Sequence, residues 1–144
     1  DIRQDRLVFL VYSESNLLVD AVGRSLTGRQ PKWLRYASSP VPYVNGHTSN
    51  YAVIVEDAIS AYVVGELFGH ACTGVALLGT QLTDFHKWYI QKYYDNVIVA
   101  LDPDARDKTI KIARELNGKA LNLRDDLKYR ETKDLDKLAE MLYE

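Results

Sequence analysis

Three acidic side chains stand where two apolar runs end. Glu56 directly follows Tyr51–Val55 (YAVIV), and Asp102 and Asp104 directly follow residues 96–101 (NVIVAL). Short continuous apolar runs of this kind read as strands buried on both faces of a parallel sheet. In an open α/β sheet, ligands bind at the carboxyl ends of the strands. Two neighbouring strands would therefore deliver three negative charges to one edge, where they repel one another. A divalent cation relieves that repulsion. Mg²⁺, or Mn²⁺ in its place, takes hard oxygen ligands and shares its shell with water and substrate phosphates. The chemistry that suits such a site is phosphoryl transfer. Taken singly, each acid also fits a helix start, with Asp104 as a cap and Glu56 in a first turn.

The surrounding pattern supplies the elements that must hold these acids. Residues 7–12 and 17–22 are apolar runs around the turn-forming Ser13-Glu14-Ser15-Asn16, which predicts a hairpin closed by Gly23, with a third strand at Leu34. Residues 37–50 are rich in Ser, Pro, Asn and Gly and read as a loop or subdomain junction. From Tyr51 onward, strands alternate with helices. A helix is expected over 57–68 with Ile59, Tyr62, Val63 and Leu67 as its apolar face, and a strand over 73–78 ended by Gly79. Thr83 can cap a helix over 83–94 with Phe85, Trp88, Tyr89 and Tyr93 as its buried stripe. A further helix ends at Leu116 before Asn117-Gly118, a short strand is expected over 119–123, and Leu135, Leu138, Ala139 and Leu142 mark a last amphipathic helix. Such alternation means a parallel α/β sheet.

The 144 residues, 47% apolar and 26% charged, suffice for one substantial core and exclude a disordered tail, a collagen-like fibre or a disulfide miniprotein. No stretch approaches the roughly 18 apolar residues of a membrane span, so no membrane partner is expected. Cys72 stands alone, and His47, His70 and His86 are scattered, so neither a disulfide nor a zinc cluster of usual spacing is expected. The lone thiol and the lack of a signal-peptide pattern point to a cytoplasmic setting, and the opening Asp1 to an excised piece of a longer protein. The net charge of −2 hides an asymmetry: residues 1–50 hold six basic and four acidic side chains, residues 51–107 three basic and eight acidic. A basic front beside an acidic middle fits a phosphate-binding surface paired with a metal site, and equally ordinary solvated charge.

VIVED at 53–57, LLGTQLT at 77–83 and VIVALDPDA at 97–105 together resemble the Toprim fold, with its Glu after one strand and Asp-x-Asp after another. ALLGT at 76–80 is similar to a segment of DnaG-type primases. RLVFLVYSESNLLVDAVGRSL followed by PKWL at 31–34 is similar to the hairpin, Gly-Arg-x-Leu and Pro-Lys-Tyr-Leu pattern that precedes Toprim in the primase polymerase core. The resemblance covers roughly residues 6–130 and implies a Toprim-like parallel sheet flanked by helices (residues 51–144), preceded by a small β-rich subdomain (residues 1–50). It departs from the family pattern at Asp57 and Asp107, where glycine is usual, and at Ser60, Arg35 and Arg106. These departures suit a phage-type or otherwise divergent primase, acting in a host cytoplasm if phage-encoded.

The resemblance implies template-directed synthesis of short RNA primers on single-stranded DNA from ribonucleoside triphosphates, beside a replicative helicase. It implies Glu56, Asp102 and Asp104 as catalytic metal ligands for Mg²⁺ or Mn²⁺, with Asp126 as a later acid of the cluster and Asp125 or Asp107 as substitutes. Arg24 and Lys32 match positions resembling the primase's nucleic-acid and nucleotide contacts, and Arg35 lies beside them. Arginine suits this role because its planar fork gives phosphate two hydrogen bonds at once. Trp33 and Tyr36 can stack on bases or pack within the subdomain. Two other functions use the same residues: a Toprim metal-dependent nuclease, which needs no triphosphate, and a non-catalytic module that binds nucleic acid or a replisome partner.

Overall fold

A computed structural model describes residues 1–143; Glu144, where the expected Toprim domain ends, lies outside the described residues. The chain forms two compact units, one of Asp1–Tyr43 and one from Val44 onward. The first is a three-stranded antiparallel sheet in the order β1 (Arg6–Tyr12), β2 (Leu18–Ser25), β3 (Trp33–Arg35). The expected hairpin is present, but Gly23 does not close it. Gly23 lies inside β2, opposite Val8 and Leu34. A Cβ there would come within 3.1 Å of the Arg6 side chain and the Tyr36 ring, so the glycine makes room for side chains crossing the sheet.

β4 (Tyr43–Asn45) begins within the stretch expected to be loop, and it forms one edge of a second, five-stranded sheet. That sheet runs β4, β6 (Thr73–Ala76), β5 (Tyr51–Val55), β7 (Asn96–Val99), β8 (Lys119–Ala120). β5 pairs in parallel with both β6 and β7, and β7 with β8. Val53, Ile54 and Val55 are wholly buried, as the continuous apolar run requires of a central strand.

Helix α1 (Ala58–Phe68) buries Val63 as expected but otherwise turns a different face to the sheet. Tyr62 and Leu67 are exposed, whereas Ala58, Ser60, Ala61, Val63, Val64 and Gly65 are buried. Small residues win because the helix sits close to the strands: a Cβ on Gly74 would lie 2.3 Å from the Ala61 carbonyl oxygen. α2 (Asp84–Tyr93) starts at the predicted Thr83 cap, and His86 completes the box by accepting the Thr83 amide at Nδ1. Its expected aromatic stripe is only partly buried, with Tyr89 and Ile90 inside and Trp88 exposed. α3 (Arg106–Glu115) buries Ile112 and Ala113 as expected and ends at Asn117, which takes the left-handed conformation (φ 54°) that the Asn-Gly pair foretold. α4 (Thr132–Tyr143) buries Leu138, Met141, Leu142 and Asp134. None of the described helices is long and apolar enough to cross a membrane.

Candidate active site

β5 and β7 are hydrogen-bonded neighbours running in the same direction, so Glu56 and Asp102 emerge at the same edge of the sheet. The Glu56 carboxylate accepts the Asp102 amide at 3.2 Å. Its main chain is held as well: the Gly79 amide donates to the Glu56 carbonyl at 3.1 Å, just after Leu77 donates to Val55 at 2.9 Å. Leu78 between them has φ 62°, a left-handed conformation that costs a side-chain-bearing residue about 1 kcal/mol. Gly79 follows with φ 156°, a region open to glycine. The predicted ALLGT segment thus folds back beneath the acid rather than continuing β6.

Asp104 completes the group. Glu56, Asp102 and Asp104 each offer a carboxylate oxygen within 4.8 Å of the others, the first two half-buried and the third exposed. Helix capping does not account for them. α1 is capped by Asp57, whose carboxylate accepts the Ser60 amide at 2.8 Å. The residue at the cap of α3 is Ala105, and Asp102, at the head of the short 3-10 turn Pro103–Ala105, makes no capping bond with its side chain. Neither Asp102 nor Asp104 caps α3, and the Asp102 amide occupies one oxygen of the Glu56 carboxylate.

Their electrostatics point the same way. Burial pushes the Asp102 carboxyl up to about 7, helped by the charges of Glu56, Asp126, Asp57 and Asp104. Glu56 is also raised, first by burial; the Asp102 amide pulls down against it, and Asp104, Asp57 and Asp126 push up. None of these influences comes from a cationic side chain. An uncompensated carboxylate cluster of hard oxygens, within reach of a shared ion, has the donor set that Mg²⁺ or Mn²⁺ takes. Asp126 stands outside the triplet but close enough to act on both Glu56 and Asp102, and it lies 3.7 Å from the Lys128 ammonium. Asp125 is exposed and accepts the Asp126 amide, and Asp107 is exposed in the first turn of α3. A cavity of about 230 Å³ opens beside Asp102, lined also by Pro103, Arg106, Thr109 and Asn122.

The basic candidates belong to the first unit. Arg24 places its guanidinium 5.8 Å from the centre of the Trp33 ring and donates to the Ser25 carbonyl. Lys32 is exposed. Arg35 is committed inside its own unit: it pairs with the buried Asp20 carboxylate and donates to the Ser39 carbonyl at 2.8 Å. Trp33 packs against Phe9 with ring centres 6.1 Å apart, and Tyr36 donates to the Asp1 carboxylate.

Two residues with structural importance have no motif. Arg6 is buried and donates to the Gly23 and Lys32 carbonyls, so it ties β1 to the segment leading into β3. Asp134 is buried at the start of α4 and accepts amides from a loop nine and ten residues earlier. Neither has a local signal, because their partners are distant in sequence.

Solved structures share this fold. A DnaG primase catalytic domain bound to single-stranded DNA superposes with a TM-score of 0.72, at 20% identity over 95% of this chain and 51% of that one. The chain has the fold of a DnaG-type primase catalytic core. The Aquifex aeolicus primase, comprising zinc-binding and RNA polymerase domains, gives 0.73 at 17% identity over 99% of this chain and 41% of that one. A structure of bacteriophage T7 lagging-strand DNA polymerase with primase domains of two gp4 subunits, bound to an RNA/DNA hybrid and dTTP, gives 0.66 at 16% identity, covering 96% and 77%. The chain spans about half the length, or less, of the first two of these primase structures. No family model and no curated protein matches the sequence.

Proposed function

We propose that this chain is the polymerase core of a DNA primase, joining ribonucleoside triphosphates on a single-stranded DNA template. The observation that carries this reading is the convergence of Glu56, Asp102 and Asp104 at the carboxyl edge of a primase-type sheet. These three carboxylates, with Asp126 nearby, would hold Mg²⁺ or Mn²⁺. Such an ion would supply charge neutralisation at the reacting phosphate. In the reaction, the 3′ oxygen of one nucleotide bonds to the α-phosphorus of the next, the bond to pyrophosphate breaks, and the hydroxyl proton is lost. The protein's part is to position the reactants and offset charge as it develops. The Glu56 carboxylate is held by the Asp102 amide and its main chain by the Gly79 amide, which orients it before substrate arrives. Arg24 and Lys32 would hold template or triphosphate, with Arg35 beside them restrained by Asp20. A replicative helicase is the natural partner of such a core.

The test is oligonucleotide synthesis on single-stranded DNA by the full parent protein, with triphosphates and Mg²⁺ or Mn²⁺. Glu56→Gln and Asp102→Asn should lower the rate by about 10²-fold or more while the protein stays folded. Cleavage of nucleic acid without triphosphates would replace this reading with that of a nuclease. A folded, metal-binding parent with neither activity would leave a non-catalytic module.

A further inference from the structure

The loop that carries Asp126 is held from two sides. On one side, the 3-10 turn Leu127–Tyr129 packs against α1, the helix that begins two residues after Glu56, and Leu127 is buried there. On the other side stands Asp134, 4% exposed. Its Oδ1 accepts the Arg124 amide at 3.0 Å, and its Oδ2 accepts the Arg124 amide at 2.9 Å and the Asp125 amide at 3.1 Å. Its own amide donates to the Glu131 carboxylate at 2.9 Å. A helix needs only a local cap; here the carboxylate reaches back across the chain and spends both oxygens on the two residues before Asp126. The turn itself is closed locally: the Tyr129 amide donates to the Asp126 carbonyl at 3.0 Å, the Asp126 amide donates to its neighbour Asp125, and the Asp126 carboxylate lies 3.7 Å from the Lys128 ammonium, while the Asp134 clamp ties the residues before it to α4.

We propose that Asp134 is a positioning residue for the acidic site: by clamping the Arg124 and Asp125 amides, it aims Asp126 at the cluster of Glu56 and Asp102. The inference rests on the reading of that cluster as a metal site. The physical reason is the one that governs groups behind metal ligands: a ligand on a short loop binds well only if its orientation is fixed before the ion arrives, and loss of such support typically costs about 10- to 100-fold in affinity. Asparagine at 134 is a weaker clamp: with its oxygen in the Oδ2 position it still accepts both amides, but it gives up the carboxylate charge and sets its NH₂ about 3.0 Å from the Arg124 N–H.

Calorimetric titration of the folded protein with Mn²⁺ tests this without relying on activity. Asp134→Asn should weaken binding by about 10-fold, in the direction of Asp126→Asn, and the double variant should bind like Asp126→Asn alone. Glu131→Ala serves as control: it removes the bond to the Asp134 amide but leaves the clamp on Arg124 and Asp125, so it should lower the melting temperature and keep Mn²⁺ affinity. Normal binding by Asp134→Asn, normal binding by Asp126→Asn, or simple multiplication of their effects in the double variant would each overturn the proposal. A second measurement needs no variant. On Mg²⁺ titration of the wild type, the Arg124 and Asp125 amide resonances should shift together with those of Glu56 and Asp102, and their silence would also overturn it. Absence of any metal binding by the wild type would remove the metal-site reading and this inference with it, whereas wild-type binding with an indifferent Asp134→Asn removes this inference alone.

Discussion

Asp20 and Asp102 are carboxylates in opposite situations. Both lose water: Asp20 is enclosed in the first unit, and Asp102 is half-buried at the sheet edge of the second. For Asp20, burial pushes the pKa up, but hydrogen bonds from Arg35, Ala37 and Ala21, together with the charge of Arg35, pull it down further, and the net shift is downward. For Asp102, burial pushes it up, and Glu56, Asp126, Asp57 and Asp104 add to the push, to about 7. Desolvation is common to both; the partners decide the sign. A carboxylate that has been given an arginine and two amides serves the fold. One surrounded by four other acids carries excess negative charge, which a proton or a bound cation would relieve.

Removing Asp20 should have the largest effect. Asp20→Ala leaves the Ala21 and Ala37 amides and the Arg35 guanidinium without their acceptor, and should cost on the order of 3 kcal/mol, read by denaturant unfolding. A loss below a few tenths would mean that the Asp20 network is surface decoration and the contrast is false.

Metal should act on the other carboxylate only. At a Mn²⁺ concentration near 100 times its Kd, the wild-type domain should gain about 2.7 kcal/mol of stability, seen as a raised melting temperature. Asp102→Asn should lose most of that gain, and Asp20→Asn should keep it. Equal gains in all three proteins would show that the ion binds elsewhere.

Without metal, pH should separate the two carboxylates by sign. The folded Asp102 keeps its proton to about 7, above the ordinary aspartate value of about 3.9, so between those limits the folded state binds more protons than the unfolded chain. Stability contributed at this site therefore falls as pH rises from about 4 to about 7. Asp20, with its lowered pKa, works the other way: its contribution is present above the unfolded value and fades as pH drops below it. Asp102→Asn should remove the first trend and gain about 1–2 kcal/mol at pH 7.5, a figure reduced for solvent screening. If the variant is less stable than wild type at that pH, the acid is a structural cap.

The smallest effect sharpens the boundary between the two kinds of carboxylate, because Asp57 belongs to both. It caps α1 through the Ser60 amide and adds charge to the edge. Asp57→Asn keeps the cap and drops the charge, and should stabilise the metal-free protein by a few tenths of a kcal/mol. Thr83→Ala, a cap with no such second role, should simply lose about 1 kcal/mol.

Much of this molecule was written in short-range patterns. The buried parallel strands announced themselves as YAVIV and NVIVAL, and the acids at their ends could be placed at one edge because a strand's carboxyl end is a property of chain direction. The Thr83 cap and the Asn117-Gly118 stop were legible because capping is settled within one helical turn. The face of α1 was not. Hydropathy selected Tyr62 and Leu67, but the distance of closest approach to β6, seen in Gly74 against Ala61, selected the small residues instead. Arg35 read as a free phosphate contact until Asp20, fifteen residues away, took its guanidinium. Asp134 has no motif around it, and its role follows from the loop at 124–125 that closes onto it. Sequence thus determined the central strands and the acids that follow them, since those depend on neighbours along the chain, while several strand ends and the edge strand β4 did not follow from it. Tertiary structure decided which charges are answered and which are left open, because a partner for a buried charge can come from anywhere the chain returns.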